Sequence, residues 1–204
     1  MSIFAIGDLH LPGGDKKPMD VFGSHWEHHF ERICADWRSR VKPEDIVLIP
    51  GDISWAMQLG DALSDLRDIA KLPGTILLLR GNHDFWWSSL SQLRACLPEN
   101  MHAVQNDAFD AGTCVFCGTR GWTIPLGQNA TAQDEKLYRR EAMRLEMSLK
   151  DAARMADGRP IFAMMHYPPL LPETLRQGTE FTRLLSEYGD ELTLEAEKDF
   201  TVQA

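Results

Sequence analysis

A chain of 204 residues has room for one domain with a hydrophobic core, and 44% hydrophobic with 25% charged residues matches a globular protein, not a disordered or membrane-embedded one. A formal net charge of −9 argues against nucleic-acid polymers and anionic membranes as partners, so a protein this acidic that handles phosphates needs cations from elsewhere, such as bound metal. No apolar run approaches the roughly 20 residues of a membrane-spanning helix, and Met1-Ser2-Ile3-Phe4 lacks the basic start and cleavage site of a signal peptide, so a cytoplasmic protein is expected.

Along the chain, Ile3-Phe4-Ala5-Ile6 reads as a buried strand stopped at Gly7, and Leu11 to Gly23 as a surface loop. Ser24 to Arg40 is helical by pattern, with Trp26, Phe30, Ile33 and Trp37 on one face, Ser24 as the cap and Glu27 three residues on. Ile46 to Ile49 is a second strand, ended by Pro50-Gly51, and Leu59 to Leu72 a second helix. Thr75 to Leu79 is a third strand, followed by a helix from Ser88 to Leu97 that stops before Pro98. From Met101 to Trp122 the short runs at 102–104, 108–110 and 114–116, separated by Asn, Asp and Gly, favour antiparallel strands and hairpins. A charged helix spans about Gln133 to Ala156, with Leu137, Leu145, Leu149 and Ala152 as its inner stripe. Ile161 to Met165 is a further buried strand and Phe181 to Tyr188 a short helix, while the Glu-rich segment 189–204 reads as an atypical tail. Alternating strands and helices give an α/β layered fold, and no composition break divides the chain, so a single domain over 1–204 is expected.

Cys34, Cys96, Cys114 and Cys117 are too few and scattered for a disulfide framework. Cys114 and Cys117 fall in a strand, where positions three apart face opposite sides, so half-buried thiols explain them better than a metal or redox pair.

Four apolar strands each run into groups that bind hard or borderline cations: Gly7-Asp8-Leu9-His10, Gly51-Asp52, Gly81-Asn82-His83-Asp84 and His166. Ligands of open α/β sheets bind beyond the carboxyl ends of strands, so these positions can converge. Carboxylates, imidazoles and an amide oxygen are a ligand set for Zn, Mn or Fe. If strand geometry persists to His10, Asp8 and His10 face the same side, and Gly51 lets the chain turn so that Asp52 can lie between two ions. Asn82 offers a neutral ligand and leaves His83 to give a proton to a leaving group, with Asp84 accepting from its other ring nitrogen and fixing its orientation. Trp86 and Trp87 read as packing that holds this loop.

These segments, in this order, resemble the calcineurin-like metallophosphoesterases over residues 1 to about 188, with Gly-Asn-His-Asp the most specific element. Gly118-Thr119-Arg120-Gly121-Trp122 and His166-Tyr167-Pro168-Pro169 further resemble a bacterial branch of predicted phosphohydrolases. The resemblance implies a four-layer α/β/β/α sandwich of mixed sheets and a hydrolase acting on a small phosphate mono- or diester with metal-activated water. It also implies two divalent metal ions, manganese favoured over iron and zinc: Asp8 and His10 on the first, Asp52 bridging, Asn82 and His166 on the second, with His83 as proton donor oriented by Asp84. Arg120 suits a substrate phosphate, because a guanidinium matches its geometry; a salt bridge is the competing explanation. His25 and His29, at helical spacing, are better explained by a polar helix face than by an ion.

The family pattern continues to a Gly-His-x-His turn that this sequence does not contain. The expectation is a sandwich shortened at its C-terminal end, with three protein ligands on each ion and reduced activity; a catalytically inactive binding or scaffold protein of the same fold is the alternative. A Rossmann or P-loop nucleotide-binding protein is disfavoured, since neither glycine fingerprint occurs.

Overall fold

The computed structural model describes residues 1–13, 19–126 and 130–188, so the tail read at 189–204 lies outside the described residues. Among these, the chain forms two compact units, Met1–Ala103 and the residues from Val104 onward. The architecture is α/β, with one parallel and one mixed sheet.

In the first unit, β1 (Ile3–Ala5), β2 (Ile46–Ile49), β3 (Thr75–Leu78) and β4 (Met101–Ala103) stand in that order, and every neighbouring pair is parallel. Parallel neighbours need crossover connections, and α1 (His29–Arg40), α2 (Leu59–Ile69) and α3 (Leu90–Cys96) supply them. All of β2 is buried, as expected of an inner parallel strand covered on both faces, which is why it reads as an unbroken apolar run. Ala62, Leu66 and Ile69 line the inner stripe of α2, and Trp37 of α1 donates its indole N–H to the Pro73 carbonyl at 2.9 Å. Ser89 caps α3 by accepting from the Gln92 amide.

Two expectations change here. The predicted 24–40 helix breaks into a 3-10 turn, Ser24–Trp26, and α1, which starts only at His29 after His28 takes a left-handed conformation (φ 52°). The cause is tertiary: the His29 ring nitrogens lie 3.1 Å from the Trp26 carbonyl oxygen and 2.9 Å from that of Leu9, which pins the chain at the break. Ser24 therefore caps no α-helix, and His25 falls in the 3-10 turn while His29 opens α1. The segment at 101–103, read with the antiparallel group, instead extends the parallel sheet beside β3.

In the second unit, β5 (Phe109–Asp110) forms the expected antiparallel hairpin with β6 (Val115–Thr119), and β6 pairs in parallel with β7 (Ile161–Met165). The crossover is α4 (Ala132–Ala156), opened by a capping box in which Thr131 and Asp134 satisfy one another's backbone N–H groups. Its buried stripe is Ala142, Leu145, Leu149, Ala152 and Ala156, with Leu137 half-buried, and it packs with Phe181, Leu184 and Leu185 of α5 (Glu180–Tyr188). Cys114 and Cys117 are buried free thiols, and burial pushes Cys117 up to about 12. No helix among the described residues is long and apolar enough to cross a membrane.

Candidate metal centre

The loops that follow β1 and β2 stay hydrogen-bonded after the strands end. The Asp8 amide donates to Gly51, His10 to Asp52, Leu11 to Ile53, and Trp55 back to Leu11, at 2.9 to 3.1 Å. Along this pair of loops the backbone is left-handed at Asp8 (φ 55°), His10 (φ 46°) and Asp52 (φ 53°), conformations that residues with a Cβ rarely adopt and that concentrate at functional sites. Asp8 and His10 do face one another, but β1 ends at Ala5, so the two left-handed residues, not strand alternation, bring them together.

The result is a tight cluster. One ligand atom each from Asp8, His10 and Asp52 lies within 4.8 Å of the others. His10 Nε2 is 3.6 Å from Asp8 Oδ1 and 4.0 Å from Asp52 Oδ2. Two donors about 2.1 Å from one tetrahedral cation are about 3.4 Å apart, so the Asp8–His10 separation suits a shared ion. Two carboxylates and an imidazole are the donor chemistry that zinc, manganese and iron accept, and the residues fit such an ion.

His83 enters from the loop after β3. Its backbone N–H donates to Asp52 Oδ1 at 2.9 Å, its Nε2 is 4.0 Å from Asp52 Oδ2, and its side chain is 41% exposed. Asn82 beside it is half-buried. Gly81 is required by Asp52: a Cβ there would fall 2.0 Å from Asp52 Oδ1.

Asp84 departs from expectation. Its carboxylate is fully buried and does not meet the His83 ring; Oδ2 accepts the amides of Asp52 and Gly81 at 2.9 and 2.7 Å. Oδ1 accepts from the Ile53 and Ser54 amides and from the Trp86 indole, at 2.8, 3.3 and 3.1 Å. Asp84 is thus a brace between two loops, because amides that no strand can satisfy converge on it. Burial pushes its carboxyl above the usual range, against the pull of those N–H donors. Trp86 and Trp87 are buried packing, as expected.

Three further residues organise the site without an evident sequence signal of this role. Trp55 stacks on the His10 ring (centroids 4.8 Å, interplanar angle 18°) and lies 4.8 Å from the His83 ring. Asp65, on the inner face of α2, accepts from the Gly13 amide at 2.8 Å and from Ser54 Oγ at 2.6 Å, and burial raises its pKa. A carboxylate among Ala62, Leu66 and Ile69 was the clue available for Asp65; for Trp55 and Ser54 only their nearness to Asp52 in the chain offered one.

In the second unit, Arg120 follows β6 and His166 follows β7, and the Tyr167 amide donates to the Arg120 carbonyl at 2.8 Å. Arg120 Nη2 is 3.3 Å from Oε1 of the buried Glu141, and its guanidinium lies 4.8 Å from the centre of the Trp122 ring. Glu141 also accepts from Arg144 at 2.7 Å and from Thr119 Oγ1 at 2.6 Å, so one carboxylate faces two guanidinium groups.

A family model described as calcineurin-like phosphoesterase matches residues 1–204. No curated protein matches the chain. Among solved structures, it is similar to AQ665 of Aquifex aeolicus, a protein of unknown function, at 16% identity over 92% of this chain and 94% of that one, with a TM-score of 0.43.

Proposed function

Because the chain belongs to the calcineurin-like phosphoesterases, we propose that it hydrolyses a small phosphate mono- or diester at the loops following β1, β2 and β3, using two divalent metal ions with manganese favoured. The observation that carries this is the gathering of Asp8, His10 and Asp52 donor atoms within 4.8 Å. Asp8 and His10 would hold the first ion, Asp52 both, and Asn82, on the loop after β3, would be a ligand of the second. Bound divalent cations supply Lewis acidity, which lowers the pKa of water and neutralises charge on the phosphoryl oxygens.

The protein's own residues do the rest. Asp52 Oδ1 is engaged by the His83 amide, which fixes the carboxylate and turns Oδ2 toward His10 and His83. The exposed edge of the His83 imidazole can give a proton to the leaving oxygen as the ester P–O bond breaks and water supplies the new P–O bond. Asp84 supports this by holding the loops, not by touching the imidazole. Within the second unit, Glu141 is shared between Arg120 and Arg144, which leaves one positive charge over and makes Arg120 a candidate to bind a phosphate.

The test is elemental analysis of purified protein together with hydrolysis of a p-nitrophenyl ester across added Mn, Fe and Zn. Turnover should stop with EDTA, return with Mn, and fall at least about 100-fold in Asp52→Asn, a direct ligand, given that outer-shell changes already cost 10–100-fold. Protein that holds no metal and hydrolyses nothing would overturn the proposal and leave a binding scaffold.

A further inference from the structure

Three aromatic residues follow Asp84 in a row, and two of them, Trp86 and Trp87, are about 1% exposed, while Phe85 is 52% exposed. The loop that carries Phe85 is anchored on both sides, by the buried Asp84 brace before it and by the two buried indoles after it. Its own amide donates to the His83 carbonyl at 2.8 Å, and its ring meets the His83 imidazole nearly edge-on, with centroids 6.3 Å apart and planes at 82°. A single exposed phenylalanine is ordinary on a protein surface. A ring held on a rigid loop beside the group assigned to protonate the leaving oxygen is a different matter, because whatever that oxygen carries must lie next to His83. Of the other rings near this imidazole, His10 (centroids 5.9 Å) belongs to the candidate metal cluster, and Trp55 stacks on His10 and gives its indole N–H to Met19 Sδ at 3.2 Å.

The geometry points to Phe85 as a subsite for the leaving group, selecting phosphate esters whose alcohol carries a planar ring, aryl or nucleobase, over small aliphatic ones. This rests on the hydrolytic reading and on His83 as its proton donor. Ring-on-ring contact of this kind changes affinity about 10-fold.

The experiment compares the phosphate esters of ethanol and 2-phenylethanol, whose leaving oxygens are chemically alike, in Mn-loaded protein, so that a difference reports contact and not leaving-group acidity. The phenylethyl ester should have a kcat/KM about 10-fold higher, expressed mainly in KM. Phe85→Ala should bring that ratio close to one and Phe85→Trp should keep it, with both variants melting as the parent does. Calorimetric titration with phenylphosphonate and methylphosphonate reads the same preference without turnover. Equal kcat/KM values for the two esters, or a preference that survives Phe85→Ala, would overturn the subsite. No hydrolysis but a phosphonate preference that Phe85→Ala removes would uphold the subsite and refute the hydrolytic reading; no hydrolysis and no preference would refute both.

Discussion

Asp84 and Asp52 are both nearly solvent-free carboxylates, yet their surroundings give them opposite tasks. The two Asp84 oxygens face only N–H donors, three on Oδ1 and two on Oδ2. An amide in its place would turn an NH2 group toward donors whichever way it flipped, so Asp84→Asn should destabilise by about 3 kcal/mol, read in denaturant unfolding. A loss under about 0.5 kcal/mol, no more than an ordinary surface change, would contradict the brace. Gly81 supports Asp52 from the other side. Gly81→Ala places a methyl 2.0 Å from Asp52 Oδ1, and Mn affinity measured by calorimetry should fall at least about 10-fold as the carboxylate moves. The residue types of the centre were legible in the sequence because the same placement, aspartate, asparagine or histidine straight after an apolar run, recurs at four strands, although any one of them could be an ordinary turn residue. The role of Asp84 was not, since its partners among the 52–54 amides lie about 30 positions away and backbone donors leave no mark on sequence.

Elements show where local pattern suffices and where it fails. The strands at 46–49 and 75–78 were readable because buried parallel strands carry unbroken apolar runs, and α4 because its cap and stripe agree. The start of α1 was hidden, being set by His29 reaching the Leu9 carbonyl, and the direction of β4 was hidden because a strand's own residues do not name its neighbour. β4 also carries a pH effect. Burial, aided by the charge of Arg94, holds His102 below its usual 6.5. The unfolded chain then takes up the proton first as acidity rises, so stability is fully present above about pH 6.5 and declines as pH falls through the lower folded value. Subtracting the unfolding free energies of His102→Asn from those of the parent between pH 8 and 5 should reveal this slope; a flat difference would contradict it.

For the molecule as a whole, the α/β class followed from the order of elements, whereas the division into two compact units did not, because no change of composition marks the passage from Ala103 to Val104. The two units keep separate cores, one around Leu66, Ile76 and Trp86 and the other around Leu145, Leu149 and Phe181. Overall stability should respond to cations, since an ion that binds only the folded chain stabilises it by about 2.7 kcal/mol at a hundred times its dissociation constant. Added Mn should therefore raise the unfolding midpoint of the parent and leave Asp52→Asn almost unmoved; equal shifts in both would place the ion elsewhere.

The ladder between the loops after β1 and β2 bears on how the centre behaves when it is vacant. Since the amides of Asp8, His10 and Leu11 are tied to the 51–53 carbonyls just beyond the paired ends of β1 and β2, separating the ligands means breaking that run of hydrogen bonds. Deuterium should enter these amides as slowly as it enters β2, and chelation should leave those rates nearly unchanged, so that a returning cation meets a cradle already shaped to receive it.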